Sequence, residues 1–333
     1  MKLPRVVQIV LWPLSLVYAT AMWFRAWFYA RGWLAQRRLG SPVISVGNLS
    51  VGGTGKTPMV IWLAEKLLSE GRCVAVLSRG YGGSGGTSDE IELMKSRLPT
   101  GVLFGVSSDR YAAGQHLKAQ GADIFILDDG FQHLSLARDV DIVLIDSTRP
   151  LRKESLLPAG RLRESGSALH RADMVVFTRT EQSKLVVYAI QKFPQFQIYP
   201  SATKLLGFRP HGGISHESLR HLGSNPVFAF CGIGNPEAFW GDLERWGLKV
   251  VGRKAFRDHH RYTQLEIQTL ESDAELAGAA ALVTTEKDGQ NLDARFLPRM
   301  PVHMAVIALE IPDEAQFLRD LHERLALRGG VAA

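Results

Sequence analysis

Acidic residues are missing from the first 64 positions of the chain, and the first of them is Glu65. The whole chain has 39 basic and 33 acidic residues, so its formal net charge of +6 comes from this N-terminal segment. A protein that binds nucleic acid along its body usually carries a basic stripe there. The body of this chain is nearly neutral, and we expect no nucleic-acid partner. The basic residues of the segment are Lys2, Arg5, Arg25, Arg31, Arg37, Arg38 and Lys56.

Cysteine is nearly absent as well. Cys73 and Cys231 are far apart and lie outside any metal-ligand spacing. This excludes a disulfide framework and a cysteine-based zinc site, and it predicts two small core residues of a reduced, intracellular protein. Low-complexity tails and repeats are also lacking. A length of 333 residues therefore allows two domains with their own cores.

A glycine-rich segment follows a short apolar run at Val43–Val46, which predicts a buried strand, and a helix is predicted after it from about Pro58 to Ser69. Glycine lets the backbone approach an anion, the lysine can reach β- and γ-phosphates, and the threonine hydroxyl can bind Mg²⁺. We interpret the segment as a nucleotide phosphate-binding loop, although Ser50 stands where this pattern usually has glycine. The alternative is a glycine-rich turn that binds nothing. The expected binding residues are Ser50, Val51, Gly52, Gly53, Thr54, Gly55, Lys56 and Thr57.

Two carboxylates end another apolar run, at Asp128 and Asp129. In a nucleotide-binding sheet this position lies near the phosphate loop, where a carboxylate holds Mg²⁺ directly or through water. An Asp-Asp-Gly turn alone is common, but with a phosphate loop about 70 residues earlier it predicts Mg²⁺-nucleotide binding. Asp141 and Asp146 bracket a similar run, and we expect them to be structural.

Short apolar runs alternate with helical segments, which is typical of a doubly wound α/β domain. The runs begin at Val74, Ile124, Ile142 and Met174, and the alternation resumes after a stretch rich in proline and glycine at Val227, Lys249, Ala281 and Met304. The predicted fold class is α/β, a P-loop-containing doubly wound sheet domain plus a second, smaller α/β domain. The expected boundaries are an N-terminal helix over 1–38, the nucleotide-binding domain over 39–200, a connector over 201–225 and the smaller domain over 226–333.

The N-terminal helix is predicted from an uncharged apolar run of 19 residues, Val6 to Phe24. Its length permits a membrane span, and its tryptophans, tyrosines and flanking arginines suit the headgroup zone. An anchor lying in the membrane plane fits equally well, and a cleaved signal peptide or a buried core helix are alternatives. A nucleotide loop about 30 residues later argues against export. We expect association with a membrane surface, and the sequence does not decide between a span and an in-plane helix.

Three further clusters carry ionisable side chains. A glycine-rich stretch between Arg79 and Glu90 could be a loop that folds over a substrate, or only a solvated hairpin tip. Asp258, His259 and His260 have a metal-like composition, but one carboxylate and two adjacent imidazoles are too few for a closed zinc site. Adjacent side chains cannot share one face, so we expect at most one of the two histidines to face a substrate. The run ending in Lys287 and Asp288 either contacts a ligand or forms an exposed turn.

Taken together, these motifs resemble the tetraacyldisaccharide 4′-kinase (lipid A 4′-kinase) family over nearly the whole chain. Where the family usually has Gly-Asp-Glu-Pro, this sequence has Ser88-Asp89-Glu90-Ile91. The resemblance rests on the basic apolar N-terminus and on Ser45–Pro58, Leu77–Gly83, Asp128–His133, Leu157–Glu164, Phe256–His260 and Thr284–Asp288.

The resemblance implies an ATP-dependent kinase that phosphorylates the 4′-hydroxyl of a tetraacylated glucosamine disaccharide 1-phosphate at the cytoplasmic face of the bacterial inner membrane. It implies ATP and Mg²⁺ as cofactors, the lipid as partner and no inferable protein partner. Asp89 and a histidine of the Asp-His-His motif are the implied pair for deprotonation; we take the histidine as His259, with His260 as the alternative. Lys56, with Arg79 and Arg110, would stabilise the transferred phosphoryl group. The implied magnesium ligands are Thr57, Asp128, Asp129 and Glu164.

An alternative function follows from the loop alone, a membrane-associated P-loop ATPase or switch protein without a lipid acceptor.

Overall fold

The strand β1 (Val43–Asn48) that precedes the glycine-rich loop is buried along its whole length. It is the central strand of a seven-stranded sheet whose order is β3-β2-β4-β1-β5-β6-β7, and the recorded strand pairs are parallel. The other strands are β2 (Val74–Ser78), β3 (Leu103–Val106), β4 (Ile124–Asp128), β5 (Val140–Asp146), β6 (Met174–Thr178) and β7 (Ile198–Pro200).

This sheet belongs to the first of two compact units of the computed structural model. The first unit comprises Met1–Gly80, Pro99–Ala202 and Glu310–Ala333, and the second comprises Tyr81–Leu98 and Thr203–Leu309. The structure describes residues 4–80, 88–183, 185–212, 222–293, 295–296 and 298–329. The glycine-rich residues 81–87, considered above as a loop over a substrate, lie outside this part.

Helices of the first unit connect β1 to β2, β3 to β4 and β6 to β7, the kind of crossover that parallel strands usually have. Its α-helices are α1 (Arg5–Ala30), α2 (Lys56–Ser69), α4 (Arg110–Ala119), α5 (Leu185–Lys192) and α9 (Glu314–Gly329). A core cluster that includes Leu39, Val43, Leu77, Phe125 and Leu127 is buried in this unit. The strands read as near-continuous apolar runs because parallel sheets are covered on both faces.

The second unit has a five-stranded sheet of order β10-β9-β11-β12-β8. Two buried clusters pack with it, one including Trp240 and Leu243 and the other including Phe230 and Ile267. Its elements are α3 (Asp89–Arg97), β8 (Ala202–Pro210), β9 (Pro226–Cys231), α6 (Pro236–Arg245), β10 (Lys249–Ala255), α7 (Gln264–Leu276), β11 (Ala281–Thr285), α8 (Glu286–Gly289) and β12 (Val302–Glu310).

Three segments differ from the expected domain boundaries. Most of the stretch expected as a connector over 201–225 that the structure describes is β8, a strand of the second sheet. The segment 81–98 joins the second unit, where Arg97 of α3 pairs with Glu286 at 2.7 Å. Residues 310–333 join the first unit, because Phe317 of α9 is fully buried against Trp62 and Tyr199.

The α1 helix is apolar and exposed. Ser15 is its buried residue in the described part, and its hydroxyl donates to Leu156 O at 3.1 Å and accepts from Ala159 N at 3.1 Å. By length and composition, Val6–Ala30 could cross a membrane, with a mean hydropathy of 1.6 in a window that is 6% buried. Such exposure argues against a buried core helix. A single helix of this kind is weak evidence for membrane association.

Candidate functional site: a phosphate-binding loop and an aspartate–histidine pair

The glycine-rich segment joins β1 to the N-terminus of α2, as the sequence predicts. The helix begins at Lys56, two residues before the predicted start. Gly55 precedes it with a φ of 90°, a left-handed conformation that strongly favours glycine. The loop is held from both sides, since Asn48 donates to the Thr54 hydroxyl at 2.7 Å and the Thr178 hydroxyl donates to Thr54 O at 3.1 Å. Its backbone N–H groups and the helix dipole together favour an anion.

Asp129 lies against two basic side chains of the same unit. Lys56 Nζ is 3.5 Å from Asp129 Oδ1, and one Arg163 nitrogen lies 2.8 and 2.7 Å from the two carboxylate oxygens. Burial opposes ionisation of Asp129, but Lys56 and Arg163 outweigh it and lower the pKa of the carboxyl group. The carboxylate is therefore ionised and acts as the counter-ion of both cations. Arg163 was not among the predicted site residues.

Backbone conformation also distinguishes Asp129. In the described part of the chain, three non-glycine residues have a positive φ, namely Asp129, Arg179 and His259, with values of 50°, 55° and 59°. Non-glycine residues in this region are uncommon, and they persist where surrounding contacts hold them, often at functional sites. Two of the three are predicted site residues.

The three predicted carboxylate ligands of a metal each accept hydrogen bonds from other side chains. Asp128 is buried at the end of β4 and accepts a hydrogen bond from Ser78 Oγ at 3.2 Å. Both Glu164 oxygens accept from Arg171, at 2.8 and 2.9 Å, and one also accepts from Gln132. Among the described residues, no group of three or more His, Cys, Asp or Glu side chains is placed to hold a metal ion.

The two other predicted arginines differ in burial. Arg110 begins α4, is buried, and donates to the backbone oxygen of Asp129 at 3.5 Å. Arg79 follows β2 directly and is exposed. Burial, and then the charges of Arg110, Arg138, Arg25 and Arg79, lower the pKa of His133 to about 4. Positive charge is therefore concentrated around the turn that follows β4.

A cleft of the first unit opens beside the phosphate-binding loop. Asp146, which we expected to be structural, lines it, and its carboxylate accepts from the Thr148 hydroxyl at 2.6 Å and pairs with Arg179 at 3.5 Å. The lining residues are Ser50, Val51, Gly52, Gly53, Thr54, Leu144, Ile145, Asp146, Arg149, Leu151, Glu154 and Arg161.

In the second unit, Asp89 and His259 are in direct contact. His259 Nδ1 lies 3.1 and 2.9 Å from the two Asp89 oxygens. Asp89 is the first residue of α3, and Ser88 caps that helix by accepting from Ile91 N at 3.3 Å. The serine found where the family pattern has glycine thus serves as an N-cap.

The turn at His259 separates the two adjacent histidines. His259 N donates to Gly232 O at 3.1 Å, whereas the His260 ring stacks on Phe256 and lies 3.1 Å from Glu266 Oε1. Of the two, His259 is therefore the partner of Asp89, which agrees with the pairing that the family resemblance implies.

Lys287 and Asn291 complete this cluster, and the sequence alone did not assign them to it. Lys287 Nζ lies 3.1 Å from Glu90 Oε1, 3.7 Å from Asp258 Oδ1 and 3.3 Å from His259 Nε2. The Asn291 amide donates to Asp89 Oδ2 at 3.3 Å. In the sequence, Lys287 stands at the end of a predicted strand. That position alone allowed either a ligand contact or an exposed turn.

The pKa values of the pair shift in opposite directions. Burial opposes the charge of Asp89, but the hydrogen bond with His259 and the Lys287 ammonium outweigh it and lower the pKa of Asp89. The hydrogen bond with Asp89 raises the pKa of His259, against burial and the charge of Lys287. The carboxylate is therefore ionised at neutral pH and has the charge needed to accept a proton.

Comparison with known proteins identifies the family to which this chain is similar. A sequence model of the LpxK family, described as "Tetraacyldisaccharide-1-P 4'-kinase", matches residues 7–326. The chain is 41% identical over 319 residues to a tetraacyldisaccharide 4′-kinase of Geobacter sulfurreducens, covering 90% of this chain and 88% of the relative. A relative with the same name from Desulfotalea psychrophila is 36% identical over 322 residues, covering 88% of this chain and 90% of the relative.

A solved structure agrees with this result. The crystal structure of LpxK from Aquifex aeolicus in complex with ATP has a TM-score of 0.72 and 31% identity, covering 96% of this chain and 99% of that one. The P-loop sheet, the second sheet domain and the near-full-length matches lead to one conclusion: the chain belongs to the tetraacyldisaccharide-1-P 4′-kinase family.

Proposed function

We propose that this protein transfers the γ-phosphoryl group of ATP to the 4′-hydroxyl of a tetraacylated glucosamine disaccharide 1-phosphate. The observation that carries the proposal is the phosphate-binding loop, with Lys56 and Arg163 held on one carboxylate, in a chain that matches this kinase family over nearly its full length. The relative crystallised with ATP supports the choice of nucleotide. A switch or ATPase without a lipid acceptor is not favoured, since the curated relatives are named as kinases.

The first unit supplies the phosphate chemistry in this proposal. The loop N–H groups hold the phosphates, and Lys56, Arg163 and Arg110 neutralise the charge that spreads over the transferred group, with Arg79 as a further cation. The transition state of phosphoryl transfer is loose, so positioning and neutralisation matter more than covalent assistance. Phosphate binding would draw Lys56 and Arg163 away from Asp129, which now neutralises them.

Magnesium suits part of the predicted donor set. Mg²⁺ usually keeps several waters and takes one or two carboxylates plus substrate phosphates. Thr57 and Asp128 would hold the magnesium ion. Asp129 and Glu164 would join them if their arginine partners move to phosphate. When bound, the ion supplies positive charge to the β- and γ-phosphate oxygens. The oxygen chemistry of these side chains fits a hard cation.

The second unit supplies the base. A sugar hydroxyl is a poor nucleophile and must lose its proton during transfer. Asp89 is the proposed acceptor of this proton, because it is ionised and contacts His259 through one edge of the imidazole ring. His259 orients the carboxylate and stabilises its charge, as does the Asn291 amide.

The N-terminal helix gives the proposed location, the cytoplasmic face of the inner membrane. The exposed apolar surface of α1 would enter the lipid, and Arg25, Arg31, Arg37 and Arg38 would contact anionic headgroups. Ser15 contacts the rest of its unit through hydrogen bonds, and Arg25 of the same helix donates to Gln132 O at 2.9 Å. Carbonate extraction of membranes separates the two arrangements, since a spanning helix stays with the lipid and an in-plane helix is released.

The test of function is phosphate transfer to the lipid disaccharide, measured beside ATP hydrolysis without lipid. Wild-type transfer should greatly exceed lipid-free hydrolysis. Lys56→Ala should nearly abolish transfer, and Thr57→Ala should weaken Mg²⁺-dependent transfer. Lys66→Ala is the matched control, because Lys66 lies on the same helix and pairs with Glu314 at 2.6 Å, away from the loop. Hydrolysis without transfer in the wild type would reject the kinase assignment, and near-normal transfer by Lys56→Ala would reject the loop.

A further inference from the structure

Lys287 lies on the edge of the His259 ring that faces away from Asp89. Its Nζ is 3.3 Å from His259 Nε2, while Nδ1 of the same ring faces the two Asp89 oxygens. A carboxylate only accepts hydrogen bonds, and an ammonium only donates them. The two contacts are satisfied together when Nδ1 carries the proton and Nε2 is a lone pair. An imidazolium ring would instead point a second N–H at the ammonium.

The ammonium is a permanent donor in this position. Burial opposes the charge of Lys287, but Glu90, Asp258 and Asp89 outweigh it and raise the pKa of the side chain. Glu90 at 3.1 Å and Asp258 at 3.7 Å fix its head group from two sides. With its proton secured, Lys287 cannot accept a hydrogen bond from an Nε2–H tautomer.

We propose that Lys287 is a positioning residue that fixes neutral His259 as the Nδ1–H tautomer and opposes the imidazolium form that Asp89 favours, so that Asp89 faces a neutral hydrogen-bond donor in a larger share of the molecules at neutral pH. An ion pair with an imidazolium would make Asp89 a weaker base, whereas a neutral donor orients the carboxylate and leaves more of its basicity for the substrate hydroxyl. This inference rests on the proposed function, in which Asp89 receives the hydroxyl proton.

The charged groups that face His259 decide what happens when Lys287 is removed. Asp89 comes from α3, Asp258 from the turn that carries the histidine, and Lys287 from α8, with Glu90 reaching the site through Lys287. Without the lysine, the charges of Asp89 and Asp258, which both raise the pKa of His259, lose the cation that opposes them. Lys287→Met should therefore shift His259 towards the imidazolium form and lower kcat at neutral pH about tenfold, with recovery as the pH is raised.

The tautomer is measured directly by NMR of the full-length protein labelled with ¹⁵N-histidine, without nucleotide or lipid. His259→Asn identifies the His259 signals among the ten histidines. At a pH above the His259 pKa, wild type should show a protonated Nδ1 and an unprotonated Nε2, and Lys287→Met should show a higher His259 pKa than wild type. Lys287→Arg, which keeps a permanent donor, should keep the Nδ1–H form. The control is Lys95→Met, which removes a lysine that pairs with Glu92 at 3.2 Å on α3.

An unchanged His259 tautomer and titration in folded Lys287→Met would overturn the inference, even if kcat falls. Loss of the Nδ1–H form in Lys287→Arg would overturn the inference as well, because a permanent hydrogen-bond donor at position 287 would then not determine the tautomer of His259. Because the NMR experiment uses no substrate, its result is separate from the transfer assay. Failure of the kinase proposal would appear in that assay as absence of lipid phosphorylation by the wild type.

Discussion

Replacing Asp129 with asparagine should destabilise the nucleotide-free protein and increase its stabilisation by ATP. The carboxylate holds Lys56 at 3.5 Å and Arg163 at 2.7 Å. A unit-charge pair 4 Å apart is worth about 4 kcal/mol at an effective dielectric constant of about 20, before desolvation. Removing one partner of a buried pair costs about 3–5 kcal/mol. The Asp129 side chain is 19% exposed, which reduces the expected loss to about 2–3 kcal/mol.

The same substitution leaves two cations without their internal anion. If Lys56 and Arg163 bind the phosphates as proposed, ATP must replace Asp129 at both cations in the wild type, whereas in Asp129→Asn both are available to ATP. A loss of about 2–3 kcal/mol lowers Tm by about 4–12 °C in a unit of this size. ATP should then raise Tm by about 2–4 °C more in the variant than in the wild type.

The assay is thermal unfolding with and without ATP, in the presence of a chelator so that metal binding does not contribute. Asp141→Asn is the matched control, since Asp141 is also buried and pairs with Arg138 at 2.9 Å. It should lose comparable stability with an ATP-induced shift equal to that of the wild type. An ATP-induced shift in Asp129→Asn no larger than in the wild type would refute competition between Asp129 and phosphate.

Three further outcomes are expected. Because the pKa of His133 is lowered to about 4, the unfolded state binds more protons than the folded state between pH 6.5 and 4. The free energy of unfolding, measured in urea, should therefore fall as the pH is lowered through this window. The fall should be less steep in His133→Gln. Ser15→Ala should lower the free energy of unfolding by about 1–2 kcal/mol in the same assay, because two hydrogen bonds are lost. Membrane binding, measured by flotation with vesicles, should not change, since the exposed apolar surface of α1 is kept. Phe317→Ala should lower the free energy of unfolding by about 3–5 kcal/mol, because Phe317 is fully buried. Leu327 is 75% exposed on the same helix, and Leu327→Ala should lower it by less than about 0.5 kcal/mol. Equal losses would contradict the packing of α9.

The strands that the sequence revealed are mostly those with continuous apolar runs. The runs at Val74, Ile124, Ile142 and Met174 are confirmed as β2, β4, β5 and β6, and the four later runs as β9 to β12. The strand β3 was missed, and β7 and β8 lie in the proline- and glycine-rich stretch that we interpreted as a connector with room for short strands. Each lies at the edge of its sheet and is only partly buried. An edge strand needs fewer apolar residues, so its sequence resembles a loop.

The sequence predicted those parts of the candidate site whose residues belong to a short, recognisable motif. The loop residues and Asp129 follow apolar strands, and their sequence order alone indicated phosphate chemistry. Arg163 and Lys287 were missed because nothing near them in sequence shows which carboxylate they contact. The same limit applies to Arg171, whose contact with Glu164, a predicted metal ligand, has no signal in the sequence. The Asp89 and His259 pairing, 170 residues apart, came from the family resemblance.

The path of the chain through the two units affects how the protein can fold during synthesis. The first unit contains segments from three parts of the chain, and α9, which packs Phe317 against Trp62 and Tyr199, follows every other described element. While the ribosome is still making β9 to β12, Trp62 and Tyr199 therefore lack the helix that covers them. The unit that carries the phosphate-binding loop completes its core only after α9 has emerged, and until then the nascent chain exposes an apolar surface to chaperones and proteases.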